Sequence, residues 1–178
     1  MTGARPVPCS DMAETGTPPG TLDEAHVALG TVWFLVARAM VAAGGEEAIH
    51  KQSAGGLYAQ AVLGLTEDEC IAAKDPGHCA PLTLVDAVSM LETMPLESGE
   101  KLLTGLIMLS FMDRRMSPME ARLVSIVASA LDLTPKEVEE CCLSARVLAD
   151  VLAPPGLRDR FRGQALGGPG PAKGPGSS

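Results

Sequence analysis

The sequence predicts an all-α protein: one compact, bundle-like domain built from two pseudo-repeated helical units. Three observations lead there. Residues 63–69 read Leu-Gly-Leu-Thr-Glu-Asp-Glu and residues 131–137 read Leu-Asp-Leu-Thr-Pro-Lys-Glu, 68 positions apart. Each segment closes an apolar run and opens another with Thr-x-x-Glu, a helix-start signature, and a repeat constrains the fold more than any single residue does. The composition agrees: 46% of residues are hydrophobic but only 3% aromatic, so Ala, Leu, Val and Met must fill the interior. That mixture suits close-packed helices better than a β-sandwich. Apolar residues also recur at spacings of three and four through much of the chain. At 178 residues the chain is long enough for one domain with a real core.

The elements follow in order. Residues 1–20 hold four prolines and read as a disordered lead. Thr21-Leu-Asp-Glu24 is a capping box that starts a long apolar helix ending near Ala43, where Gly44-Gly45 stops it. A second helix is expected over 52–63 with Leu57, Tyr58, Ala61 and Val62 inward. Thr66 caps a short third helix ending near Lys74, and Asp75-Pro-Gly-His78 is a turn signal. Pro81 and Thr83 introduce a fourth helix with Leu84, Val85, Val88 and Leu91 at helical spacing, ended or closely followed by Pro95. The second unit starts near Ser98 with an almost wholly apolar helix (Leu102, Leu103, Leu106, Ile107, Leu109, Phe111), expected to be central and buried. Ser117-Pro-Met-Glu120 is a strong helix start, followed by an expected apolar stripe of Met119, Leu123, Ile126, Val127 and Ala130. Thr134-Pro-Lys-Glu137 opens a last helix to about Leu152, ended by Pro154-Pro155-Gly156. The domain therefore spans 21–153, and 154–178 is a Gly/Pro-rich tail too poor in apolar residues to order itself.

Charge and thiols narrow the class. Residues 21–153 carry nine Lys/Arg against 19 Asp/Glu. Such an acidic body repels phosphates, which argues against a nucleic-acid partner. The tail is mildly basic, which leaves peripheral membrane association open. Five cysteines in no CxxC spacing, behind an N-terminus without an apolar leader, favour reduced thiols and a cytoplasmic location. Residues 25–43 are the one stretch resembling a membrane span. Arg38 lies inside it and the uninterrupted apolar run, Val27 to Ala37, is 11 residues, so a buried core helix is expected and no transmembrane segment.

Overlaying 34–74 on 102–142 without gaps pairs Leu35 with Leu103, Met40 with Met108, Leu63 with Leu131, Leu65 with Leu133, Thr66 with Thr134 and Glu69 with Glu137. The helix breaks and caps coincide as well. Asp113-Arg-Arg-Met116-Ser117-Pro-Met-Glu120, then an apolar helix and Leu-Asp-Leu-Thr, resembles the tellurite-resistance TerB family, whose related modules include the N-terminal region of a membrane-anchored J-domain co-chaperone. The likeness covers about 98–152, and more faintly 21–97. It implies about seven helices in two pseudo-repeated units and a stress-response or tellurite-resistance role as a small scaffold or sensor. It also implies a metal site on acidic loop residues, with Asp113 and Glu120 at the matching positions; the cofactor would be a divalent ion. The chain departs from the family pattern at Arg114, which replaces a glycine. It departs again in the first unit, where Gly45 and Gln52 align with Asp113 and Glu120. Hard cations want six or more oxygens. Glu46 and Glu47 could supply some, while Arg114 and Arg115 would oppose a cation. The plainer role for Glu120 is to complete its capping box.

Other chemistry is sparse. Cys70, His78 and Cys79 share a short region without zinc-ligand spacing, so buried structural thiols are the expectation. None of GxSxG, P-loop, GxGxxG, HExxH or His-Pro-Asp occurs, and no enzyme is expected. Met108, Met112, Met116 and Met119 gather around one interhelical loop. Exposed methionines there would offer an adaptable docking surface. The leading expectation is a non-enzymatic protein-interaction adaptor docking a protein partner through Met112, Arg114, Arg115, Met116 and Met119. The alternative is a metal-binding or metal-sensing module using Asp113, Glu120, Glu46 and Glu47.

Overall fold

A computed structural model describes residues 22–43, 48–75, 82–112 and 116–152. Among them run seven helices and no strand: α1 (Glu24–Ala43), α2 (Ala48–Ala61), α3 (Glu67–Lys74), α4 (Leu84–Leu91), α5 (Leu96–Phe111), α6 (Pro118–Ala130) and α7 (Pro135–Leu152). The two pseudo-repeated units are α1–α2–α3 and α5–α6–α7, with α4 between them.

The repeat is written into the backbone at the helix junctions. The two positive-φ residues among those described are Gly64 (φ 76°) and Asp132 (φ 52°), again 68 apart. Each follows the second helix of its unit. Gly is free in this left-handed region and Asp tolerates it. Two residues later Thr66 and Thr134 reverse the chain into α3 and α7. Thr66 forms a full capping box with Glu69. Thr134 does the same work: its N–H donates to Glu137 Oε2 (2.7 Å), and Glu137 N–H donates to Thr134 Oγ1 (3.4 Å).

The core gathers on α5, whose residues 102–110 are all buried. Gly105 has no side chain, and the rings of Trp33 and Tyr58 fill that space. The two rings pack with centroids 5.0 Å apart. Their polar ends are satisfied: Trp33 Nε1–H donates to Gly55 O (3.1 Å) and Tyr58 O–H donates to Lys101 O (2.5 Å). α7 lies along α5 through Cys141, Ala145 and Ala149, one helical turn apart. The long apolar α1 meets the length and composition of a membrane span. It packs against α2, α3, α4, α5 and α6, with Val32, Trp33, Val36 and Met40 fully buried, which makes it the central core helix of the first unit.

Several facings differ from expectation. α2 starts at Ala48 rather than 52, and it turns Lys51, Ala54, Gly55, Tyr58 and Ala59 inward while Leu57 and Ala61 face out. The Trp33–Tyr58 contact sets that rotation, and Leu57, one residue back, lies about 100° away. α4 ends at Leu91 with Pro95 following it, as expected, and α5 begins at Leu96, two residues before the expected start near Ser98. On α4, Ala87 and Leu91 are buried whereas Leu84 and Val85 are exposed. On α6 the buried stripe is Glu120, Leu123 and Val127, and Met119 and Ile126 are exposed. There the capping glutamate takes the inward place expected of Met119, while Leu123 and Val127 are buried as expected. The lead, the Asp75–His78 turn beyond Asp75, and the tail lie outside the described residues.

Candidate functional site

Glu120 does complete its capping box. Ser117 N–H donates to Glu120 Oε2 (2.6 Å) and Glu120 N–H donates to Ser117 Oγ (3.2 Å). Ser117 Oγ–H also reaches Ala43 O (3.4 Å), tying the start of α6 to the end of α1. The other carboxylate oxygen, Oε1, accepts from Lys51 Nζ at 2.5 Å. The two side chains are 0% and 1% exposed. A charge cannot leave water at that depth without a partner, so Lys51 and Glu120 hold each other in place and clamp α2 to α6. Both oxygens of Glu120 are thus engaged by protein donors, and a cation there would have to displace an ammonium group.

Of the other metal candidates, Asp113, Glu46 and Glu47 lie outside the described residues. Among those described, no group of three or more His, Cys, Asp or Glu could hold a metal ion. The proposed docking residues divide. Met112 is buried, as is Met108, whereas Met116 and Met119 are 39% and 64% exposed; Arg114 and Arg115 lie outside the described residues. Lys51 was not legible as a site residue. The signal that could have found it is its place seven residues before Tyr58, two turns along the same face of α2.

A second capping carboxylate is also buried. Glu69 accepts from Thr66 N–H (2.8 Å) and Asp23 N–H (3.4 Å), and His26 Nδ1 lies 3.4 Å away. The Thr66 N–H above all holds its carboxyl below the usual glutamate range. Burial pushes the thiols of Cys70, Cys141 and Cys142 up. Cys70 and Cys141 are buried, in line with structural thiols; His78 and Cys79 lie outside the described residues. Burial likewise raises the Tyr58 hydroxyl above its ordinary value.

A cleft of about 720 Å³ opens between α1, α2, the end of α3 and the approach to α4. Phe34, Leu35, Val41 and Leu82 give it apolar walls, and Gly55 and Gly56 belong to its floor. Arg38 and Lys74 are exposed on its lining, and no described carboxylate lines it. Lys74 Nζ sits 4.3 Å from the centre of the Phe34 ring, a cation–π contact that holds it over the cleft.

No protein-family model, curated protein or solved structure matches this chain. The likeness to the TerB family therefore rests on the residues quoted above.

Proposed function

We propose that the chain is a TerB-like helical adaptor of the stress-response or tellurite-resistance type. In this reading it works in the cytoplasm without catalysis and docks an amphipathic helix of a protein partner. The observation that carries the reading is the start of α6. Met116 and Met119 stand exposed on either side of Ser117, and Glu120, locked to Lys51, anchors that turn. Ile126, 40% exposed, extends the same face two turns further. Flexible thioether side chains on a rigid support suit a surface that receives a partner helix.

The test is a photo-crosslinking amino acid placed at Met119 in cells of the protein's own source. A discrete crosslinked partner, lost when Met116→Glu and Ile126→Glu are added, supports the adaptor. An absence of discrete adducts, or adducts unchanged by those two substitutions, overturns it.

A further inference from the structure

The cleft exists because the two units differ where they should match. α3 has 8 residues and its counterpart α7 has 18, so α3 stops before covering the length of α1 that α7 covers on α5. The positions facing that gap changed with it. Leu102 and Leu106 are fully buried on α5, and Phe34 and Arg38, their equivalents on α1, line the cleft. Leu123 and Val124 of α6 pack into the core, while their equivalents on α2 are Gly55 and Gly56.

Gly56 is the telling residue. A glycine in a helix interior is a poor helix former and costs stability relative to Ala. Here no neighbour requires it: a Cβ added at Gly56 would meet nothing within 4 Å. What the missing side chain preserves is open space in the cleft floor. The electrostatics point the same way, since two exposed cations line the cleft of a body rich in carboxylates.

We propose that this cleft binds one molecule of a fatty acid, its carboxylate held by Arg38 and Lys74 and its chain lying on Phe34, Leu35 and the floor left open by Gly56. The volume falls in the range of roughly 300–1,000 Å³ common for small-molecule sites. The guanidinium fork matches a carboxylate, and a monoanion is repelled by the acidic body less than a phosphate dianion would be. The site is separate from the Met116–Met119 surface, and neither reading depends on the other.

Calorimetric titration of the lipid-free full chain tests it, using octanoate, decanoate and dodecanoate below their micelle concentrations. Dodecyl phosphate and dodecyltrimethylammonium are the head-group controls. One saturating equivalent is expected. Dodecanoate should bind at least tenfold tighter than octanoate, because each buried methylene adds up to about fourfold. It should also bind at least tenfold tighter than the ammonium. Gly56→Leu fills the floor and should weaken dodecanoate at least tenfold with helicity and melting temperature retained. The pair Arg38→Ala and Lys74→Ala, both at exposed positions, should do the same and decides the matter if Gly56→Leu fails to fold. The proposal is overturned by no binding below millimolar concentration, by equal affinity for the ammonium, or by unchanged binding in the folded variants. Tighter binding of dodecyl phosphate overturns the carboxylate assignment.

Discussion

Replacing Glu120 by Gln separates the structural role of this residue from every other. Glutamine keeps the length of the side chain and can still accept from Ser117 N–H, so the capping box survives. What disappears is the negative charge opposite Lys51, whose side chain is 0% exposed. Removing one partner of a buried ion pair costs about 3–5 kcal/mol, a large share of the roughly 5–15 kcal/mol that holds a domain together. At about 2–4 °C per kcal/mol for a chain of this size, the melting temperature should fall by roughly 10 °C. Urea unfolding followed by helical circular dichroism reads the cost directly. Lys51→Met should cost a similar amount, because it strands the carboxylate. The double variant Lys51→Met, Glu120→Gln buries no charge and should recover, giving a coupling energy of at least about 2 kcal/mol. Single variants within about 1 kcal/mol of wild type, or additive losses in the double, would refute the clamp. The same proteins test the metal alternative. If Glu120 is a ligand, an added divalent ion raises the wild-type melting temperature by mass action, and Glu120→Gln abolishes the rise.

Three further outcomes follow from the packing. The same substitution should have opposite signs at two glycines. In Gly105→Ala the new Cβ falls 2.6 Å from Tyr58 Cε1 and 2.7 Å from the Trp33 ring, and overpacking rigid rings costs about 1–3 kcal/mol. Gly56→Ala meets open space and should stabilise α2 by about 0.5–1 kcal/mol; equal effects in urea unfolding would contradict the packing. The chain has one tyrosine, so alkaline absorbance reports Tyr58 alone. Its raised folded value gives stability that is full below the ordinary 10.0 and is lost as pH climbs above it. Phenolate should therefore appear together with loss of helicity, and a reversible titration near pH 10 in a still-helical protein would be inconsistent with that burial. Glu69 works in the other direction. Its folded value lies below the ordinary 4.5, so its stabilisation is complete above that pH and is lost as pH falls through the folded value. Glu69→Gln should lower stability at neutral pH and flatten the acid limb; parallel acid limbs in the two proteins would show that the carboxylate adds nothing.

The sequence made local chemistry legible and left distant pairings hidden. Thr66, Ser117 and Thr134 cap where they were expected to, and Thr83 caps the helix it introduces, because a capping box is closed within four residues; at α1 Thr21 lies outside the described residues, and Asp23 Oδ1 accepts from the Ala25 and His26 N–H groups. The central α5 was legible for a similar reason, since no solvated helix carries nine consecutive residues like those at 102–110. Facing was harder wherever two signals competed. Met119 and Glu120 stand side by side, and hydropathy puts the methionine inside. The structure puts the glutamate there, because its partner Lys51 arrives from 69 positions away. Nothing local to Lys51 announces that encounter. The cleft was hidden for a further reason: it depends on the length of α3 relative to α7, and that shows only when the two units are compared in space.

The repeat explains why the polar and open features fall where they do. The two copies of the helical unit do not bury the same faces. In the second unit Leu102, Leu106, Leu123 and Val127 are all buried, and Leu131 and the Trp33 and Tyr58 rings occupy the space beside the buried Gly99 and Gly105. The first unit, with its short α3, was released from filling the equivalent volume, and Arg38, Gly55 and Gly56 occupy positions where the other unit needs Leu106, Leu123 and Val124. The exchange also runs the other way. Lys51 is fully buried, and its equivalent Met119 is 64% exposed. At one pair of matched positions, then, the chain spends a buried charge to join the two units and leaves an apolar side chain in water. That reversal costs stability on both sides, and a domain selected for stability alone would carry the methionine inside and the lysine out.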